Sequence, residues 1–143
     1  MNVLRSYGIV PVQKIPEGFL FLLVHNINGH WEFPKGTPRR DETPEETALR
    51  EFQEETGITN VRVIPGVTLR EQYLLPLPDG SRVPKEVVFF IGEVVYPKRV
   101  NGFHGDVDNA LWLPYDEAFV QLTFPESKQV LQEAREYIER HPF

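Results

Sequence analysis

At 143 residues, with 41% hydrophobic and 25% charged residues, the chain has the size and make-up of one soluble globular domain with a real core, over residues 1–143. Its net charge of −6 argues against broad nucleic-acid binding through a basic face, yet leaves room for small phosphorylated ligands held by a local cluster of cations. The absence of cysteine excludes disulfide and thiolate chemistry, and no apolar run has signal-peptide or membrane-spanning character, so a cytoplasmic monomer with no membrane partner is the expectation.

The first elements read as strands. Ser6 to Val12 and Phe19 to His25 flank a turn at Pro16-Glu17-Gly18, and the near-continuous apolar character of the second predicts burial on both faces. Asn26 to Gly29 is a turn, "HWEF" a short strand, and Pro34-Lys35-Gly36 ends it. A helix follows with clear boundaries. Thr43 is an N-cap, Pro44 suits the first helical position, Glu46 completes a capping box, and Gly57 suits a left-handed residue past the end, so the body runs from Pro44 to Thr56. Three more strands are expected at Val61 to Ile64, Val67 to Leu75 and Glu86 to Val95. The last two flank an Asp-Gly turn and should pair antiparallel. A short strand "ALWLP", a short helix "PYDEAFVQL" and a terminal amphipathic helix with Val130, Leu131, Ala134, Tyr137 and Ile138 on one face complete the chain. Strands, helix, strands, helix argue for an α/β protein with helices packed on a mixed sheet.

The helix from Pro44 carries an excess of glutamate. Glu51 and Glu55 lie about 40° apart around its axis, and Glu54 about 60° to the other side of Glu51, so all three share a face. Such pairs repel by ~0.2–0.5 kcal/mol each. One reading is a solvated acidic face balanced by Arg50 and nearby cations. The other is a divalent cation, and hard oxygen ligands at this density suit Mg²⁺, with Mn²⁺ as a substitute, better than zinc.

Gly36, then Glu42, then Arg50-Glu51-Phe52-Gln53-Glu54-Glu55-Thr56-Gly57-Ile58 resembles the Nudix box, with every defining position at the expected spacing. The resemblance implies an α/β/α sandwich with a central mixed β-sheet, and Mg²⁺-dependent cleavage of a nucleoside diphosphate linked to another group. It implies that Glu51, Glu54 and Glu55 bind the metal, with the Gly36 carbonyl adding to them. Arg50 would orient a glutamate, and Glu42 would hold loop to helix by pairing with Arg50. Glu55 is the expected general base, with Glu54 and a downstream acid as competitors. Glu93 would be the additional downstream acid that meets the metal, with Asp106 a further candidate.

"HWEFPKG", "REQY", "KEVVFFIGEV" and the ending from Ala110 to Ala134 are similar to the subgroup that hydrolyses dinucleoside tetraphosphates asymmetrically. The implied substrate is diadenosine tetraphosphate, cleaved to ATP and AMP. Lys35 and Lys85 would contact phosphates, with Arg70 a weaker candidate, and His30 and Tyr73 would hydrogen-bond them. Phe89 and Phe124 would stack on a base. Against this, Phe89 and Phe90 point to opposite faces of one strand, so at least one belongs to the core. Trp31 reads as structural. The alternatives are a pyrophosphohydrolase acting on RNA 5′ ends or nucleoside triphosphates, and a nucleotide-sensing module without turnover. The chain departs from the subgroup at Thr37, Arg39 and Asp41, where histidine, glutamate and glycine are usual. Arg39 and Arg40 would then either add phosphate contacts or balance the acidic helix.

Overall fold

The computed structural model describes residues 3–95 and 106–143. The elements run β1 (Leu4–Ile15), β2 (Gly18–Asn26), β3 (Trp31–Glu32), β4 (Lys35–Gly36), α1 (Pro44–Thr56), β5 (Val61–Val63), β6 (Leu69–Pro76), β7 (Arg82–Val94), β8 (Val107–Pro114), α2 (Tyr115–Gln121) and α3 (Pro125–Arg140). All eight of these strands join one sheet, ordered β3-β2-β1-β7-β5 along its main path, with β4 on β1, β6 on β7 and β8 on β2. β1 and β7 pair in parallel from Leu4↔Lys85 to Val12↔Glu93, while the other pairs are antiparallel, including the expected β6–β7 hairpin. The sheet is therefore mixed.

Alternation along the strands divides the core in two. Val10, Val12, Phe21, Leu23, Val87, Phe89 and Ile91 face α2 and α3, where Ala118, Leu122, Val130, Leu131, Ala134 and Ile138 meet them. Ile9, Leu22 and Val94 face α1 and receive Ala48 and Phe52. This is the α/β/α sandwich expected from the sequence. β2 is buried on both faces from Phe21 to Val24, as its continuous apolar run requires.

Two local features position the site. The first is a fork in the sheet. β1 pairs with β2 only from Val12 to Ile15, and further back it takes β4 instead, through Tyr7↔Gly36 and Gly8↔Lys35. "PKG" thus does more than end a strand, because its Lys35 and Gly36 fill the gap that β2 leaves. The second is the fixed start and stop of α1. Thr43 accepts from the Glu46 backbone N–H, and Glu46 returns a bond to the Thr43 N–H at 2.9 Å. Gly57 closes the helix in the left-handed region at φ 73°. Phe52 is fully buried, and losing its ring would cost about 3–5 kcal/mol. With Phe52 and Ala48 locked inward, the glutamates have only the outer face.

Candidate active site

α1 places Glu51, Glu54 and Glu55 on one wall of a cleft of about 320 Å³. Glu32, Lys35 and Gly36 at the fork also line it, together with Asn26, Asn28, Asp106 and Val107. Glu54 and Glu55 sit in the last turn of α1, which holds no basic residue. The helix dipole is negative there, so the carboxylates are placed against it and need a counter-charge from elsewhere.

Arg50 supplies part of it. Its guanidinium bonds Glu42 twice, at 2.6 and 3.0 Å, the Thr37 carbonyl at 3.0 Å, Glu51 Oε1 at 2.9 Å and Glu54 Oε2 at 3.2 Å. The hydrogen bonds from Arg50 come first in holding Glu42 down at a pKa of about 2, with help from the Arg39 backbone N–H and Thr47. Glu42 thus ties loop to helix through Arg50, and Arg50 also hydrogen-bonds Glu51 and Glu54.

Glu55 is in a different position. Among the described residues its Oε2 is buried with no hydrogen-bond partner. Burial above all, then the charges of Glu51 and Glu32, push Glu55 up to about 8, against the opposing pull of Lys35. A buried oxygen without a donor, in a ring of negative charge, is a place for a cation. Gly36 is shaped to the same purpose: a Cβ there would fall 2.0 Å from Cδ of Glu51, so only glycine lets the carboxylate approach the backbone. The all-oxygen donor set fits a hard divalent cation. It is not preassembled: among the described residues no three histidine, cysteine, aspartate or glutamate side chains converge on one point, because Glu51 and Glu54 are turned onto arginine.

Lys35 connects the cleft to a second group of residues. Its Nζ lies 3.7 Å from Glu32. Burial alone would lower its pKa, but the summed charges of Glu32, Tyr73, Glu71 and Glu55 outweigh it and hold the ammonium above its usual value. Lys85 lies across from Tyr73 in the β6–β7 register and donates to Ser6 Oγ at 2.5 Å. Burial, then repulsion from Lys35, lowers it, so the two lysines sense one another. His30 and Phe124 hold their rings 4.8 Å apart, with Phe124 39% exposed.

Three candidates from the sequence fall elsewhere. Phe89 is 1% exposed, edge-on to Phe33 at 5.9 Å inside the core, because its strand parity points it at α3. No base reaches its face. Glu93 takes Arg62 at 2.7 Å and stands about 16 Å along β7 from the level of Gly36, at ~3.3 Å per residue. It does not line the cleft, whereas Asp106 does. Arg70 faces Glu86 at 3.8 Å, also away from the cleft. Trp31 packs beside His25 at 4.9 Å and against the core, a structural position. Sequence reasoning missed Glu32 and Glu71. Glu32 alternates with core-facing Trp31 and Phe33, which is the signal for a side chain on the other face. Glu71 carried no signal, since an acid in a strand reads as solvent-facing.

The NUDIX domain family matches residues 5–134. An asymmetrical bis(5′-nucleosyl)-tetraphosphatase of Rattus norvegicus is 32% identical over 139 residues, covering 95% of this chain and 90% of that protein. An RNA pyrophosphohydrolase of Hydrogenovibrio crunogenus is 41% identical over 108 residues, covering 67% of this chain and 62% of that protein. Among solved structures, a C. elegans Ap4A hydrolase in a binary complex superposes with a TM-score of 0.84 at 22% identity, over 96% of this chain and 98% of that one.

Proposed function

The chain belongs to the Nudix family of hydrolases, and we propose that it cleaves diadenosine tetraphosphate asymmetrically to ATP and AMP, with Mg²⁺ held by Glu51, Glu54, Glu55 and the Gly36 carbonyl. The observation that carries the chemistry is Oε2 of Glu55 in the glutamate cleft, buried and without a hydrogen-bond partner among the described residues. The substrate class is supported by similarity along nearly the whole chain to the rat tetraphosphatase.

When bound, the cation polarises phosphoryl oxygens and screens the charge of the leaving phosphate. The protein does the rest. Arg50 holds Glu51 and Glu54 on the cleft wall. The Glu55 carboxylate takes the proton of the attacking water as the new P–O bond forms and the bridging P–O bond breaks. Lys35 stands beside Glu55 and steadies the phosphate chain, and Lys85 holds its next segment, relieved of repulsion from Lys35 by the anion between them. Tyr73 hydrogen-bonds the same chain. His30 and Phe124 offer the flat surface for a base, worth ~1–3 kcal/mol by stacking. Phe89 has no part in this.

The test is a product assay with Mg²⁺ on diadenosine tetraphosphate, nucleoside triphosphates and 5′-triphosphorylated RNA in parallel. Equal ATP and AMP, appearing fastest, is the expected result. Faster release of pyrophosphate from the RNA would favour the second reading, which the Hydrogenovibrio relative supports. It would keep the glutamate cleft and overturn the assignment of His30, Lys85 and Phe124.

A further inference from the structure

Both oxygens of Glu54 are held by guanidinium groups. Arg50 Nη1 bonds Oε2 at 3.2 Å, and Arg39 Nη2 bonds Oε1 at 3.1 Å. The two arginines are fixed very differently. Arg50 is 16% exposed and also grips Glu42, Glu51 and the Thr37 carbonyl. Arg39 is 66% exposed, and among the described residues Glu54 is the carboxylate that its guanidinium pairs with. Its backbone is anchored, because the Arg39 N–H bonds Glu42 Oε1 at 2.7 Å and the Glu42 N–H returns to the Arg39 carbonyl at 3.2 Å. A fixed backbone with a loosely held head is a tether with one free end.

A cation arriving at Glu54 needs one of these oxygens. Taking Oε2 means breaking into the Arg50 network. Taking Oε1 means displacing one exposed ion pair, an interaction of small worth. We infer that Arg39 is a displaceable latch: it occupies Oε1 of Glu54 until a divalent cation takes that oxygen, and its released guanidinium then meets the phosphates of the bound ligand. The inference rests on Glu54 as a ligand of the cation. It gives Arg39 two jobs in sequence. It lowers repulsion among the glutamates before loading, and it carries positive charge to the cleft mouth afterwards, where an anion enters. Charge balance alone would require only the first. As the latch acts through Glu54, Arg39 is a positioning residue until the phosphates reach it.

The test uses the full chain with Mn²⁺ as the probe, its binding followed by electron paramagnetic resonance at low salt. Wild type, Arg39→Gln, Arg39→Lys and Glu54→Gln are compared. Removing the latch should tighten Mn²⁺ binding by about two- to fivefold, the range set by exposed ion pairs. Arg39→Lys should stay near wild type, and the difference should shrink as salt is raised. In steady-state hydrolysis Arg39→Gln should raise KM by a larger factor than it lowers kcat. Equal or weaker Mn²⁺ binding in Arg39→Gln overturns the latch, and an unmoved KM overturns the hand-over to phosphate. Equal Mn²⁺ binding by wild type and Glu54→Gln removes the ligand on which the inference stands. Normal Mn²⁺ binding by wild type without cleavage of any pyrophosphate sinks the hydrolase reading alone, and the titration still judges the latch.

Discussion

Arg50 and Glu42 meet side on, Nε to Oε2 at 2.6 Å and Nη2 to Oε1 at 3.0 Å, a two-point contact that joins the loop after β4 to the middle of α1. The contact sets an acid limit on stability. Hydrogen bonds from Arg50 hold Glu42 at about 2 in the folded chain, against an ordinary 4.5. A depressed carboxylate adds stability above its unfolded pKa and loses it as pH falls toward the folded one. Glu42→Gln should therefore lower the urea midpoint at pH 6, and the gap to wild type should close between pH 4.5 and 2. A gap that persists at pH 2 would mean that Glu42 acts through packing and not through its charge.

Two glycines distinguish a site effect from a fold effect. At Gly36 an added methyl would strike the Glu51 carboxylate, the far end of a flexible side chain. At Gly8 it would strike the Pro34 carbonyl oxygen at 2.4 Å, with Lys35 Cβ and the Phe89 ring both at 2.8 Å. Gly36→Ala should keep its thermal midpoint within a few degrees and lose turnover by about a hundredfold, the usual cost of a misplaced ligand. Gly8→Ala should lose about 1–3 kcal/mol of stability, since backbone and ring must both yield. Circular-dichroism melts with parallel turnover assays separate the two, and equal losses in both assays for both variants would refute the distinction.

What was legible in the sequence follows from how local each signal is. α1 was readable to its ends because Thr43, Pro44, Glu46 and Gly57 each carry a cap that acts within a turn. The β6–β7 hairpin was readable because Asp79-Gly80 sits between two periodic runs, and Gly80 takes φ 87° there. β4 was not, since two residues make no pattern, and the fork that gives them a partner is set by where β2 leaves β1. The misplacement of Phe89 and Glu93 has one cause. Motif spacing along β7 fixes neither which face a residue takes nor which neighbour it meets, and here α3 covers Phe89 while β5 brings Arg62 to Glu93. Asp41 was a departure from a usual glycine, and the chain still adopts φ 67° at that position, which aspartate tolerates better than most residues.

Glu71 should make stability fall as pH rises from 4.5 toward neutrality. It is 7% exposed on β6, with Ser127 Oγ at 3.4 Å as a weak donor. Burial, followed by the charge of Glu32, raises it to about 7, although Lys35 and Ser127 pull the other way. Between pH 4.5 and 7 the folded chain then holds a proton that the unfolded chain has lost, so stability decreases across that window. Glu71→Gln removes its share of the dependence, leaving that of Glu55. The variant should match wild type near pH 4.5 and exceed it by about 1–3 kcal/mol at pH 8, the scale of a pKa raised by this much. Denaturant titrations at the two pH values decide it. A variant less stable than wild type at pH 8 would mean that the charged form is paired and useful, with Lys35 as the partner.

Glu55→Gln tests the proton acceptor directly. Glutamine keeps the shape of the side chain but cannot take a proton from water. Turnover of diadenosine tetraphosphate with Mg²⁺ should fall by about 10²–10⁴, the usual range for losing a general base. Stability should move the opposite way. Burial and the charges of Glu51 and Glu32 hold Glu55 at about 8, so the folded carboxylate costs stability progressively as pH rises above 4.5. In the presence of chelator at pH 8 the variant should melt at or above the wild-type midpoint. A variant that is both inactive and less stable would show that Glu55 is a structural acceptor. Near-normal turnover in a folded variant would pass the role of base to Glu54 or Asp106, the other acids on the cleft walls.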